Sequence, residues 1–239
     1  MIFLKILLNI NGGCSIITWD VQNDGMKKLL VLTACMVFLL AGLANADTLN
    51  IGGTYTGMTI WEDGVLTGVG GGSVDPSYLN GTELDYLYCV DLYITVNVPG
   101  SYPNTVVTTD GTIYGVAVHN AGQVAWLLSQ YGTAGQGSQA YALQAAIWHV
   151  VNDGIHNVFI DNTSSPANVV TLYGSYLTAL DSNTGNISDF RWITPGQLDS
   201  NGHVVAYQGL VTVPEPGILI LLGIAMSAIG AASWRLRKF

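Results

Sequence analysis

The stretch "SQAYALQAAIWHVVND", residues 138–153, predicts a helix that belongs to a helical insert in a β framework. Ser138 can cap its N-terminus, because a serine hydroxyl accepts a hydrogen bond from the free backbone N–H groups of the first turn. Apolar residues at a spacing of four predict one buried face, formed by Leu143, Ile147 and Val151. Gln144 lies in the middle of this helix and shares a face with Ile147 and Trp148, so a polar amide is predicted among large apolar side chains.

Another helix, which precedes this one in the chain, and a β framework are also predicted. The segment "NAGQVAWLLSQYG" predicts a helix from about 121 to 131, ended by Gly132. Residues 47–118 are rich in Gly, Thr, Tyr and Val and read as strands, including "LYITVNV" at 92–98. Their turns are predicted at Asn80-Gly81 and Asp110-Gly111.

Two segments complete the predicted fold. "GVGGGS", residues 68–73, lacks the final glycine of a dinucleotide loop and the lysine of a P-loop, so it predicts a flexible hairpin or loop. The residues after 154 predict a return to short strands. The sequence therefore predicts an α+β fold, in which a β-sandwich or barrel-like framework carries an inserted helical subdomain.

The N-terminal region predicts a secretory signal peptide at residues 26–46. Met26-Lys27-Lys28 precedes an uncharged run, 29–43, that ends at Ala44-Asn45-Ala46, and this order is typical of such peptides. We expect cleavage after Ala46, with residues 1–25 as an upstream segment from a start codon assigned too early. Two alternatives stay open: Met1 begins an unusually long n-region, or "LTAC", 32–35, is a lipoprotein box.

The C-terminal region, residues 214–239, predicts a sorting signal. Residues 217–234 carry no charge and are about long enough to cross a bilayer as a helix. "RLRK", 235–238, follows on the cytoplasmic side, and Pro214-Glu215-Pro216 precedes the helix as an extended junction. This order resembles the PEP-CTERM signal of Gram-negative bacteria. The resemblance implies transient anchoring in the inner membrane, cleavage by an exosortase and delivery to the cell surface or extracellular matrix. A plain C-terminal anchor is the alternative.

The predicted mature body, residues 47–213, is long enough for one domain and strongly acidic. It contains thirteen Asp and Glu residues and one basic residue, Arg191, which gives a formal charge of −12. This charge argues against binding to nucleic acid or anionic lipid. The body also contains no lysine.

One cysteine, Cys89, lies in the body, within "YLYCVDL" at residues 86–92. It can be an inert buried thiol, because free cysteine behaves as a small apolar residue. It can also be the nucleophile of a secreted hydrolase that uses a histidine and an acid such as Asp153. The histidines available to it are His119, His149, His156 and His203.

A third explanation pairs Cys89 with Gln144. The trio "YCV" at 88–90 is followed 55 positions after its cysteine by the glutamine of "LQAAIW". Together with "GSYPN" and "VAWLLSQYG" between them, these motifs resemble the bacterial thioester domains of surface adhesins over residues 50–212. Known relatives are mostly wall-anchored Gram-positive proteins, so the sorting tail departs from the family pattern and leaves the target open.

The resemblance implies a thioester between the Cys89 sulfur and the Gln144 side-chain carbonyl, formed with loss of ammonia. An aromatic surround would exclude water from this bond, and the predicted shelter residues are Tyr86, Tyr88, Trp126 and Trp148. An amine or hydroxyl on a surface or matrix target, protein or glycan, would attack the carbonyl and become covalently attached. The lack of lysine in the body leaves no internal ε-ammonium group to consume the bond.

This reading predicts a single bond-forming event and no catalytic turnover, so the chain is not expected to be an enzyme. No cofactor and no metal site are predicted, because "DSNTGN" at 181–186 departs from a calcium loop and His149 and His156 lack a third ligand at metal spacing. The alternatives are a non-covalent structural component of an exopolysaccharide or biofilm matrix, and third, a secreted cysteine hydrolase.

Overall fold

The computed structural model of the chain describes residues 4–10, 13–19 and 46–213. The chain divides into two compact units between Asn45 and Ala46. In the first unit, strands β1 (Leu4–Ile10) and β2 (Gly13–Trp19) form an antiparallel hairpin. Nearly all of the predicted signal peptide and the whole tail 214–239 lie outside the described residues, so their processing stays a prediction. Among the helices that are described, none has the length and apolar character needed to cross a bilayer.

The second unit is built on one eight-stranded antiparallel sheet that curves as a half-barrel. Its strands are β3 (Asp47–Glu62), β4 (Val65–Leu79), β5 (Thr82–Glu83), β6 (Tyr88–Cys89), β7 (Gly100–Thr108), β10 (Val158–Ile160), β11 (Arg191–Thr194) and β14 (Leu210–Thr212). The order is β5-β4-β3-β7-β11-β14-β6, and β10 also pairs with β3. Two small hairpins complete the strands: β8 (Thr112–Ile113) with β9 (Val116–Ala117), and β12 (Gly196–Leu198) with β13 (Val204–Ala206).

Three α-helices are described, α1 (Ala121–Tyr131), α2 (Ser138–Asn152) and α3 (Ala167–Leu180), besides a 3-10 turn at Ile187–Asp189. The α+β class and the helical insert are therefore confirmed, and the strands form one curved sheet instead of two stacked ones. The bounds of α1 agree with the prediction, whereas Gly137, not Ser138, occupies the N-cap of α2.

Helix α2 lies at the centre of the core, and more of its surface is buried than the one face that was predicted. Leu143 and Ile147 are fully buried as predicted, whereas Val151 is only partly buried. The alanines at 140, 142, 145 and 146 are buried as well. Because alanine side chains are short, the sheet and the other helices approach α2 closely on several sides, which is typical of a central core helix.

The two strands at the edges of the sheet belong to one short segment of the chain, residues 82–89. Strand β5 lies at one end of the order and β6 at the other, yet only residues 84–87 separate them in the chain. Backbone bonds tie this connection to β4, with Leu84 N–H donating to Ser77 O at 2.8 Å and Val74 N–H donating to Leu87 O at 2.9 Å. So short a connection between the two edges requires the sheet to curl, as a half-barrel does.

One strand prediction was wrong, and the structure decides between the two alternatives given for another segment. Residues 92–98 form bends instead of a strand, because the Asp91 carboxylate accepts hydrogen bonds from the backbone N–H groups of Tyr93 at 2.8 Å and Ile94 at 3.4 Å. These local bonds replace the ladder partners that a strand would need. The glycine-rich run 68–73, predicted as a flexible hairpin or loop, lies inside β4, which forms a hairpin with β3.

Candidate functional site

The amide of Gln144 is hydrogen-bonded to the backbone of Cys89 on both of its sides. Its Oε1 accepts from the Cys89 N–H at 2.9 Å, and its Nε2 donates to the Cys89 carbonyl at 2.6 Å. Gln144 is fully buried in the middle of α2. The fold thus brings together the two residues that the sequence placed 55 positions apart, with the side-chain amide of one against the main chain of the other.

Cys89 lies in an edge strand. The outer side of this strand has no neighbouring strand, so the backbone of Cys89 can form hydrogen bonds with Gln144. Strand β6 pairs with β14 on one side only, with Cys89 opposite Leu210. N–H and C=O groups on the far side of such a strand need another partner when they are buried, and the Gln144 amide supplies both a donor and an acceptor. The amide therefore caps this end of the sheet.

The Cys89 thiol is buried and held protonated. Only 3% of the residue is exposed, and burial raises the pKa of the thiol to about 12, with a smaller contribution from the negative charge of Asp91. A thiol with this pKa is not a free thiolate at neutral pH. Any reaction at the sulfur must therefore move the proton as the new bond forms.

Gly71 gives Gln144 the space to reach Cys89, a role that was not predicted. A Cβ atom at this position would lie 2.3 Å from Met58 Cε and 2.9 Å from Gln144 Cγ. No ordinary side chain fits there without displacing one of these groups. The run of glycines in the sequence could have indicated this role. Glycine in a strand interior often marks a place where another part of the chain approaches the backbone closely.

A cavity of about 430 Å³ adjoins Cys89. Its walls are the glycine-rich part of β4, the bent segment 92–98, and the residues Cys89, Trp148 and Gln208. Trp148 is 1% exposed, and its indole Nε1–H has no hydrogen-bond partner within the described part of the chain. Gln208 donates from its amide to the backbone oxygen of Asp91 at 2.6 Å.

Two predicted shelter residues, Tyr86 and Tyr88, are buried next to each other, with ring centroids 5.5 Å apart. The Tyr88 hydroxyl donates to the Thr133 backbone oxygen at 2.7 Å. The Tyr86 hydroxyl lies so close to Gly132 that a Cβ there would be 2.6 Å from it. Burial raises the pKa of both phenols, and the pair holds the α1–α2 connection against the strand that carries Cys89.

The two tryptophans predicted as shelter lie in different places. Trp148 lines the cavity together with Cys89. Trp126, on α1, is partly buried and packs edge-on against Tyr131, with ring centroids 5.9 Å apart. Trp126 is not one of the residues that line the cavity.

Tyr114 and Asp91 fix the bent segment at the cavity wall, and the sequence analysis did not identify them. The Tyr114 hydroxyl donates to Asp91 Oδ2 at 3.0 Å and lies against the Tyr207 backbone oxygen. Tyr114 has a φ of 56° in the tight turn between β8 and β9. This left-handed conformation is strained for a bulky residue, so the turn is held by the contacts of the phenol.

The histidines have partners of their own, and none of the four lines the cavity. His119 contacts the Val151 backbone oxygen and His149 that of Val158. His156 and His203 lie against Asp63 and Asp199. Within the described residues, no group of three His, Cys, Asp or Glu side chains could hold a metal ion.

The comparisons with known proteins identify the C-terminal tail. Residues 212–238 match the family model described as the PEP-CTERM protein-sorting motif. The chain carries a PEP-CTERM sorting motif. No curated protein and no solved structure matches the chain, so these comparisons give no support to the resemblance between residues 50–212 and thioester domains.

The motif establishes the route of the protein. A PEP-CTERM chain is exported, recognised by an exosortase and sorted through a membrane-anchored step to the cell surface or extracellular matrix. The predicted Pro214-Glu215-Pro216 junction and the predicted helix 217–234 fall within the matched range. The structure of that range after Val213 lies outside the described residues.

Proposed function

We propose that Cys89 and Gln144 form an internal thioester through which the exported protein attaches covalently to a target at the cell surface or in the matrix. The observation that carries the proposal is the pair of hydrogen bonds between the Gln144 amide and the Cys89 backbone, at 2.9 Å and 2.6 Å. They hold the amide beside the residue that carries the thiol. Holding two reactants together lowers the barrier of a reaction when the reacting atoms come within about 3–3.5 Å of each other.

The Cys89 N–H supports the chemistry as well as the position. It donates to Gln144 Oε1, the oxygen on which negative charge would develop when sulfur attacks the amide carbon. A backbone donor aimed at a developing oxyanion contributes on the order of 3–4 kcal/mol in enzymes. The bond that caps the edge strand would therefore also stabilise the intermediate.

The reaction balances without any further reactant. The Cys89 Sγ–Gln144 Cδ bond forms, the Cδ–Nε2 bond breaks, and the thiol proton leaves with the amine as ammonia. No group is oxidised or reduced. A target hydroxyl or amine then attacks Cδ and returns a proton to the sulfur, which its raised pKa favours. The bond is used once, so the protein does not turn over.

A second candidate function is a non-covalent structural component of the matrix. The same geometry favours it, since an intact Gln144 amide satisfies both backbone groups of Cys89 and a buried thiol with a pKa of about 12 is inert. In this case Gln144 serves only to cap the edge of the sheet.

Intact mass distinguishes the two candidates. Freshly purified chain should be lighter than its sequence mass by one ammonia, and the Cys89→Ala and Gln144→Ala variants should each have their full calculated mass. Gln130→Ala, a change of an exposed glutamine on α1, is the matched control and should keep the ammonia loss. Methylamine should then couple to Gln144 and leave a thiol at Cys89 that can be alkylated after unfolding.

Hydrolysis of the bond has its own signature. It would convert Gln144 to glutamate, which peptide mapping detects in the wild-type chain and not in Cys89→Ala. If fresh wild-type protein has its full mass, an unmodified Gln144 amide and no methylamine adduct, the thioester does not form and the matrix-component function stands.

A further inference from the structure

We propose that the outer edge of strand β4, between Leu66 and Gly70, binds an extended peptide of another protein as an additional antiparallel strand, and that this peptide alternates apolar and basic residues. The inference concerns an interaction surface and the class of partner that fits it. It does not depend on the proposed thioester, because it rests on backbone groups and on the cavity beside them.

Strand β4 presents backbone groups on an outer edge that has no neighbouring strand. The two-residue turn 63–64 has positive φ at both of its positions, as a type I′ hairpin turn does. Such a turn closes on a hydrogen-bonded pair, here Glu62 and Val65, and bonded and non-bonded pairs then alternate along β3 and β4. Three residues of β4 therefore direct their N–H and C=O groups outwards: Leu66, Gly68 and Gly70.

Two bonds on the opposite side of β3 support this alternation. The Asp161 N–H donates to Thr59 O at 3.1 Å. The Asp63 N–H donates to Asn157 O at 3.1 Å, also on the β10 side. Since Thr59 directs its carbonyl away from β4 and lies opposite Gly68, the backbone groups of Gly68 point to the outer edge. No hydrogen bond from the described residues reaches these outward groups.

The rest of the same edge already holds an extended segment of this chain. Residues 82–87 run antiparallel along the end of β4, with Glu83 opposite Tyr78. Further along, the Val74 N–H donates to Leu87 O at 2.9 Å. The segment then leaves β4 and continues as β6 beside β14. A bound peptide would continue this line along β4 beyond the point where the segment departs, in the same antiparallel direction.

Other backbone groups at the margins of the sheet are covered by side chains. The Gln144 amide caps Cys89 of β6, and His149 contacts the Val158 oxygen of β10 at 2.6 Å. Within the described part of the chain, residues 66–70 have no such cover, and they contain no charge and no proline. Proteins use charges, prolines and covering groups to keep an edge from pairing with another chain, so this edge is suited to pair.

The cavity beside Cys89 determines one half of the peptide pattern. Residues directly opposite each other in an antiparallel ladder point to the same face. Val69 lines the cavity and packs against the core, so peptide residues opposite it would enter this space of about 430 Å³. Further apolar residues line the cavity there: Val74, Leu92, Val96 and Val98. The inward residues of the peptide should therefore be apolar, because pockets for alternate side chains give such pairing its specificity.

The charge of the body determines the other half of the pattern. Peptide residues opposite the exposed Leu66, Gly68 and Gly70 would point to solvent, beside a body with a formal charge of −12 and a single basic residue. This field attracts lysine or arginine and draws a cationic peptide to the edge. The same charge disfavours a second copy of this chain as the occupant, because two acidic bodies repel each other.

Binding is tested on the full-length chain by the fluorescence anisotropy of a labelled peptide, TKVKVKT. The chain is first treated with methylamine, so that no thioester remains to capture a lysine of the peptide. We expect saturable binding that weakens as the salt concentration rises, because the attraction of exposed charges is screened. The acidic peptide TEVEVET should not bind.

Two changes at Gly68 separate pairing from a general effect on the strand. Gly68→Pro removes the outward N–H at a position where an edge strand accepts proline, and it should weaken binding of TKVKVKT about tenfold or more, because a hydrogen bond is lost. Gly68→Ala is the matched control. It keeps the N–H, and its Cβ meets no atom within 4 Å, so it should bind like the wild type.

Methylated peptides guard against misfolding of Gly68→Pro. In the antiparallel arrangement the lysines lie opposite the outward residues of β4, so the lysine N–H groups point towards this strand and the valine N–H groups point away from it. N-methylation of the lysine amides should abolish binding to the wild-type chain, and N-methylation of the valine amides should preserve it. Binding that survives methylation of the lysine amides, or that is equal for Gly68→Pro and Gly68→Ala, overturns the inference.

The remaining outcomes separate this inference from its rivals. A wild-type dimer in sedimentation that Gly68→Pro dissociates and TKVKVKT does not would place a second copy on the edge and overturn the inference. Ammonia loss without peptide binding also overturns it and leaves the thioester standing. Peptide binding without ammonia loss supports the partner class and removes the thioester.

Discussion

Gly71 shows how a missing side chain can position a functional group. The strand β4 passes so close to α2 that a single methyl group at residue 71 would meet Met58 and Gln144. The amide of Gln144 reaches the Cys89 backbone because that methyl group is absent. Glycine normally weakens a strand, and here its cost is offset by the contact it permits.

Replacement of Gly71 by alanine is expected to disturb Gln144 first. Gly71→Ala should lower the free energy of unfolding by about 1–3 kcal/mol, as overpacking of a core does, and should reduce the ammonia loss measured by intact mass. Gly68→Ala in the same strand meets open space, so its stability should be unchanged or slightly higher. Equal urea midpoints for the two variants would contradict the role given to Gly71.

At this scale the sequence analysis predicted a thioester between Cys89 and Gln144 from a resemblance and not from periodicity, and this bond stays a prediction. The position of Gly71 and the unpaired Trp148 indole were not predicted. Both depend on which strand lies against which helix, and that information is carried by the sheet order, not by any local pattern.

At the scale of elements, helix α1 was predicted to end at Gly132 and helix α2 was predicted from its apolar repeat. Helix α3 was missed, and its residues were read as part of a run of short strands. Its β-branched residues favour strands locally, and Gly174 is unfavourable inside a helix. Its buried residues Val169, Tyr173, Tyr176 and Leu180 nevertheless repeat at three and four positions. Closer counting of that repeat would have found the helix.

The turn between β10 and α3 depends on the carboxylate of Asp161. Hydrogen bonds from Ser164 lower the pKa of this carboxyl most strongly, Thr163 and Trp61 lower it further, and burial acts in the opposite direction. The folded protein therefore favours the ionised form. The stability that this provides is present above the unfolded pKa of about 3.9 and is lost as the pH falls below it.

Asp161→Asn should remove that pH dependence. Urea midpoints of the wild-type chain should fall between roughly pH 4 and pH 2 more steeply than those of the variant, and the variant should be less stable at pH 7. Asp153→Asn changes an exposed residue after α2 and serves as the control, with a pH profile like that of the wild type. Parallel profiles for all three chains would contradict the assignment.

At the scale of the whole molecule, the folded body and the sorting motif overlap. Thr212 is both the last residue of β14 and the first residue of the matched motif. Pro214 follows two positions later, so it lies at most about 7 Å along the chain from the sheet. An exosortase that cuts near Pro214-Glu215-Pro216 must therefore approach the folded body closely.

A longer connection should make that cleavage faster. Insertion of a six-residue Gly-Ser linker between Val213 and Pro214 should increase the rate of processing, followed in the native host by pulse labelling and immunoblotting. The same insertion after Asn201, in an exposed turn, is the control and should leave the rate unchanged. A linker variant processed no faster than this control would mean that the body does not restrict access.

The place of β14 in the sheet also has a mechanical consequence. It pairs with β11 on one side and β6 on the other, so a pull on the tail reaches the interior of the sheet. Detaching an edge strand breaks one ladder, whereas extracting β14 requires two ladders to yield together. Tension from the tail is thus shared with the strand that carries Cys89, and the protein can hold a load through a terminal strand only three residues long.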